Sequence, residues 1–122
     1  MGTPKKTLVM GASTKPGRYA YKAIKMLERF GHPVVAIGKK EESLDGVKIE
    51  KEHVPFDEVD TITLYLNPMN QKQYYDYILS LKPERVIFNP GTENPELYSL
   101  LRQNGIDIEV GCTLVMLSIN QF

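Results

Sequence analysis

The residues best suited to chemistry in this 122-residue chain stand together near its start: Gly11, Ala12, Ser13, Thr14, Lys15 and Arg18. An apolar run, residues 7–10, leads into them, and a helical pattern follows. Small residues let the backbone come close to a ligand. The hydroxyls of Ser13 and Thr14 can cap a helix or donate to a phosphate, and Pro16 suits a first helical turn. A strand that ends in such a turn at a helix N-terminus presents free backbone N–H groups and a positive dipole end, which together make an anion site. The loop matches neither G-x-G-x-x-G nor the Walker A pattern. An ordinary capped strand–turn–helix would share its small residues; the cations Lys15 and Arg18 point to an anionic ligand.

Three further loops carry polar or cationic residues at the ends of apolar runs: Gly38-Lys39-Lys40, Asn67-Pro68 and Asn89-Pro90-Gly91. Proline takes its residue out of a strand ladder, and the asparagine amide can read a ribose or base edge. After the second strand, an NAD site wants an acidic residue for the ribose hydroxyls. Lys39 and Lys40 stand there instead, which favours a phosphate on or near the ribose. Groups for catalysis are few. His32 and His53 have no nucleophile beside them in sequence and read as structural or surface residues. Cys112 reads as a small buried hydrophobe. Tyr74, Tyr75 and Tyr77 read as core packing or a dimer face. No metal-ligand spacing and no hydrolase motif is present.

The elements that must position these loops follow from periodicity. Apolar runs over residues 6–10, 33–38, 60–66, 85–88 and 106–110 read as strands, the second of them, nearly all apolar, as buried on both faces. Helical spacing covers residues 17–30, with Ala20, Ala23, Ile24, Leu27 and Phe30 on one face, and residues 71–81 and 96–103. Residues 39–43 read as a charged loop, residues 44–49 as an Asp45-Gly46 turn with a very short strand, and residues 114–119 as a final helical turn. Strands alternating with helices indicate parallel βαβ units in one α/β domain. The expected architecture is a three-layer α/β/α sandwich on a mostly parallel sheet of about five strands. Ligands of such sheets bind beyond the carboxyl ends of the strands, where all four loops meet.

Composition agrees with a soluble globular domain: 42% hydrophobic, 25% charged. The formal net charge is zero, which argues against bulk nucleic-acid binding. One cysteine excludes an internal disulfide and suits a reducing cytosol. No signal peptide or membrane span is expected. Met1-Gly2 opens like a myristoylation signal, but Lys6 stands where Ser or Thr is required.

Taken together the loops resemble the CoA-binding domain family, small Rossmann-like proteins similar to the N-terminal domain of the succinyl-CoA synthetase alpha subunit. The resemblance rests on Val9-Met10-Gly11-Ala12-Ser13 with Pro16 and Arg18, Gly31 before the second strand, Leu44-Asp45-Gly46, residues 89–94, and Gly105 with Cys112. It covers nearly the whole chain. The resemblance implies coenzyme A or acyl-CoA as ligand, with Gly11, Ala12, Ser13, Lys15 and Arg18 at the phosphates. It puts Lys39 or Lys40 near the adenosine and its ribose phosphate. Asn67, Pro68 and the turn Asn89-Pro90-Gly91 would border the adenine or the pantetheine arm. The chain departs from the family in one place: Ala36-Ile37-Gly38-Lys39 stands where a Pro-Val-Asn-Pro-like segment is usual. It carries neither the phosphohistidine segment nor the ATP-grasp domain of a synthetase, so no ligase reaction is expected of it alone.

The expected function is non-catalytic binding of coenzyme A in the cytoplasm, as a carrier, sensor or partner module for a small-molecule nucleotide. Two alternatives stand beside it: an NADP-dependent oxidoreductase-like module, and an interaction protein whose nucleotide pocket has decayed. A redox role for Cys112 with the CoA thiol is a weaker fourth. Residues 74–78 and the tail, residues 114–122, could make a homodimer or be core.

Overall fold

A computed structural model describes residues 3–122; the reading of Met1 and Gly2 lies outside the described residues. The strands are β1 Thr7–Ala12, β2 Val34–Gly38, β3 Glu42–Leu44, β4 Val47–Glu50, β5 Thr61–Leu64, β6 Arg85–Phe88 and β7 Asp107–Val110. The helices are α1 Tyr19–Arg29, α2 Pro68–Gln71, α3 Tyr75–Leu81, α4 Pro95–Gln103 and α5 Thr113–Ser118. One sheet holds the strands in the order β3-β4-β2-β1-β5-β6-β7. Every pairing is parallel except that of β3 with β4.

Alternation along the strands splits the core in two. Leu8, Met10, Ile62, Leu64, Val86 and Phe88 face α3 and α4, where Tyr77, Ile78, Leu97 and Leu101 meet them. Val9, Ala36 and Ile49 face the other way, against Ala20, Ile24 and Leu27 of α1 and Leu117 of α5. Central strands buried on both faces are what the nearly continuous apolar runs require.

Among the described residues the sheet has seven strands, where about five are expected. The addition is the β3–β4 hairpin, built from a segment read as a charged loop, an Asp45-Gly46 turn and a very short strand. Asp45 and Gly46 both hold positive φ, 48° and 87°, as a two-residue type I′ hairpin demands. Glu42 pairs with Ile49 and Leu44 with Val47. The very short strand expected within residues 44–49 is β4, and its partner β3 begins inside the segment whose charges read as a loop.

Other boundaries also move. The first strand runs on through Gly11 to Ala12, with a bulge between Met10 and Ala12 in its pairing with β2. The helix expected over residues 71–81 begins earlier and is broken into α2, a 3-10 turn at Lys72–Tyr74, and α3. Helix α1 starts only at Tyr19, so Pro16 lies in the loop before it. Among the described residues no side chain caps α1: Ser13 and Thr14 are engaged elsewhere. Phe30, expected in the core, is 43% exposed. It is the C-cap residue, where the chain turns away through Gly31 at φ 84°. The N–H groups of Gly31 and His32 donate to the carbonyls of Glu28 and Leu27, a Schellman ending.

Candidate functional site

The chain leaves β1 towards β2 on one side and returns to β5 on the other. This reversal is the switch point where the carboxyl ends of strands open into a crevice. A cleft of about 520 Å³ lies there. One wall is the loop from β1 to α1: Gly11, Ala12, Ser13, Thr14, Lys15 and Arg18. Gly38, Lys39 and Lys40 continue it beyond β2. The far side carries Tyr65, Leu66, Asn67, Asn70, Gln73 and Tyr74, then Pro90, Gly91 and Thr92.

Two glycines shape the floor. A Cβ on Gly11, whose φ is 88°, would lie 3.0 Å from the Tyr65 backbone. A Cβ on Gly38 would lie 2.7 Å from the Ala12 carbonyl oxygen and 2.8 Å from Ile49 Cγ2. Position 38 therefore presents bare backbone.

The β1–α1 loop is held by its own bonds. Ser13 Oγ accepts from the Lys15 N–H at 3.1 Å, and the Arg18 N–H donates to the Lys15 carbonyl at 3.0 Å. Thr14 Oγ1 donates to Glu42 Oε1 at 3.0 Å. Lys15, Arg18, Lys39 and Lys40 are exposed. Among the described residues only Lys40 of these four has a carboxylate within ion-pair range, Glu42 at 4.0 Å. With α1 uncapped by any side chain and free of acidic residues in its first turn, this wall combines four cations with a positive helix end.

The structure brings together Gly11, Ala12, Ser13, Thr14, Lys15, Arg18, Gly38, Lys39, Lys40, Asn67, Pro90 and Gly91 at the cleft. It leaves Pro68 and Asn89 out of the lining. Pro68 opens α2 behind Asn67, whose Oδ1 accepts from the Asn70 N–H at 2.9 Å. Asn89 is 2% exposed. Its Nδ2 donates to Thr63 Oγ1 and the Leu64 carbonyl at 2.7 and 2.8 Å, and its Oδ1 accepts from the Thr113 N–H at 2.9 Å. Both polar atoms of that amide are engaged within the fold.

Several lining residues were not singled out from sequence. Tyr19 and Glu42 adjoin loops that were, and their nearness was a usable signal. Tyr65 and Leu66 read as strand, and Gln73 and Tyr74 as helix; only the tertiary fold turns them to the cleft. Burial pushes the Tyr65 phenol up to about 12. The Thr63 and Thr113 hydroxyls beside it oppose that shift, but they bond each other at 2.7 Å and leave the Tyr65 hydroxyl buried without a partner among the described residues. A phenol so placed stays protonated at neutral pH.

The lining contains no histidine or cysteine, and Glu42 is its one carboxylate. His53 stacks on Tyr74 and Tyr77 at 4.8 and 4.9 Å. His32 lies ahead of β2, at the opposite edge of the sheet. Cys112 is half-buried ahead of α5 and outside the cleft lining. Among the described residues no group of histidine, cysteine and carboxylates could hold a metal ion, and no helix is long and apolar enough to cross a membrane.

A mostly parallel α/β/α sheet with a cationic crevice at its switch point defines a Rossmann-like domain. The family model for the CoA binding domain matches residues 5–118, and the chain belongs to that family, which associates it with coenzyme A. A crystal structure of an uncharacterized protein shares 51% identity, with 99% of this chain and 100% of that one covered and a TM-score of 0.96. A hypothetical protein from Pyrococcus horikoshii OT3 shares 24% identity over 97% of this chain and 84% of its own, with a TM-score of 0.86. The fold also recurs in the Ca. Korarchaeum cryptofilum dinucleotide forming acetyl-coenzyme A synthetase 1, solved in complex with phosphate and ADP. There identity is 18%, the TM-score is 0.71, and 86% of this chain spans 25% of that one. No curated protein matches the chain at a significant level.

Proposed function

We propose that the chain binds coenzyme A or an acyl-CoA at the carboxyl edge of its sheet, without catalysis, as a cytosolic carrier, sensor or partner module. One observation carries this reading: Lys15, Arg18, Lys39 and Lys40 and the N-terminus of α1 line the same wall of one cleft in a chain of the CoA binding domain family. Coenzyme A carries a diphosphate and a separate ribose phosphate. Two pairs of cations on two loops suit two separated phosphate groups, with Lys15 and Arg18 at the first and Lys39 and Lys40 at the second.

Isothermal titration with coenzyme A, dephospho-CoA and NADPH tests it. Coenzyme A is expected to bind, and dephospho-CoA to bind more weakly. Lys15→Ala and Arg18→Ala are each expected to weaken coenzyme A by roughly fivefold, the size of one partly exposed charge contact. Lys39→Ala should reduce the difference between coenzyme A and dephospho-CoA. No binding of coenzyme A at millimolar concentration would remove the proposal. A second reading, an NADP-dependent module, draws on Lys39 and Lys40 alone. Saturable NADPH binding without coenzyme A binding would favour it. A decayed pocket would show as no effect of Lys15→Ala or Arg18→Ala on any ligand.

A further inference from the structure

The one carboxylate in the cleft lies among groups suited to a phosphate. Glu42 Oε1 accepts from Thr14 Oγ1 at 3.0 Å and lies 4.0 Å from Lys40 Nζ. A hydroxyl donor and an ammonium converging on one anionic oxygen are what a ligand phosphate seeks. Thr14 belongs to the loop after β1 and Lys40 to the loop after β2, so the carboxylate ties the two loops to one another. Its position is not that of a mobile loop side chain. Glu42 begins β3, pairs with Ile49 of β4, and its side chain is 26% exposed against 73% for Lys40.

We infer that Glu42 is a specificity-determining residue of this cleft: its carboxylate stands in for a ligand phosphate between Thr14 and Lys40, and it sets the affinity for ligands phosphorylated at that end. A phosphate arriving beside Lys40 must displace the carboxylate or accept its repulsion. A ligand lacking that phosphate meets no such competition. Lys39, Lys15 and Arg18 have no comparable internal partner among the described residues, so the competition falls on one end of the ligand only. The inference rests on the coenzyme A reading and adds to it a device that moderates phosphate recognition.

The test is Glu42→Gln, which keeps an acceptor for Thr14 and removes the charge. Coenzyme A is expected to bind the variant roughly two- to fivefold more tightly than it binds the parent, the range for a partly exposed charge pair. Dephospho-CoA should gain less, and the gain should shrink at high salt. A folded Glu42→Gln protein that binds coenzyme A equally or more weakly overturns the inference while leaving the coenzyme A reading intact. Weaker binding of both ligands would mean that Glu42 contacts the ligand directly. Absence of coenzyme A binding in parent and variant alike overturns both readings. If the variant fails to fold, the parent protein serves: the carboxyl carbon NMR signal of Glu42 should move further on saturation with coenzyme A than with dephospho-CoA, because only the ribose phosphate competes for Thr14 and Lys40. Equal movement with the two ligands overturns the inference.

Discussion

Asn89 illustrates how residue type and residue role separate. An asparagine before a proline at a strand end has the chemistry to read a ligand. In the fold its amide instead joins β5, the end of β6 and the start of α5, through Thr63, the Leu64 carbonyl and the Thr113 N–H. Its backbone carbonyl also accepts from the Thr92 N–H and hydroxyl, at 3.0 and 2.7 Å. It thereby shapes the turn that brings Pro90 and Gly91 to the cleft. Asn89→Ala takes this partner from the buried Leu64 carbonyl and Thr113 N–H, while Thr63 Oγ1 keeps its bond to Thr113 Oγ1, and is expected to cost about 2–3 kcal/mol. A urea melt checks this: the midpoint should fall with the slope unchanged. A midpoint within error of the parent would show that water can replace the amide.

At the scale of elements, the cleft depends on how closely β1, β2 and β5 pack. Gly11 admits the bulge beside Tyr65, and Gly38 admits the approach of β2 to the Ala12 carbonyl. Gly38→Ala places a methyl against backbone, which cannot swing aside as a side chain could. It is expected to destabilise by about 1–3 kcal/mol, as overpacking does. It should also weaken ligand binding by shifting the Lys39 and Lys40 loop. Thermal melting and the same titration measure the two effects. The hairpin that carries Glu42 is tied to α1 by the Lys25–Asp45 ion pair. Both side chains are about half exposed, so that pair contributes little to stability. The hairpin is held chiefly by Leu44, Val47 and Ile49 in the core.

At the scale of the whole molecule, α5 runs from the β7 edge back beside α1, and the tail closes the edge of the sheet opposite the cleft. The Phe122 ring lies 4.5 Å from the Arg85 guanidinium and 4.8 Å from the His32 ring, while its carbonyl accepts from Lys5 Nζ at 2.8 Å. His32 Nδ1 in turn accepts from the Lys5 N–H at 2.9 Å. Burial first, then the charges of Lys5 and Arg85, hold the His32 imidazole below its ordinary 6.5. The folded state thus binds its proton less readily than the unfolded chain. Its contribution to stability is complete above pH 6.5 and is lost as pH falls from there through the folded-state value. The melting temperature should drop over that window, and His32→Gln should flatten the drop. A parent profile level through that range would refute the linkage. Tyr74, Tyr77 and Ile78 are core, whereas the tail divides, with Leu117 buried and Val115 and Ile119 exposed.

The sequence by itself determined the α/β class, the order of the main strands and helices, and most of the loops that meet at the cleft. Each of these is written in local terms, as apolar period, glycine or proline punctuation, and the types of residue that end a strand. It did not determine the partners of Asn89 or the engagement of Thr14 by Glu42. Those bonds join residues 24 to 28 positions apart, and the tail bond from Lys5 to Phe122 spans 117. Local propensity cannot report a partner that only the register of the sheet delivers. The tertiary structure therefore decided which polar residues are consumed in holding the fold and which stay free to face a ligand.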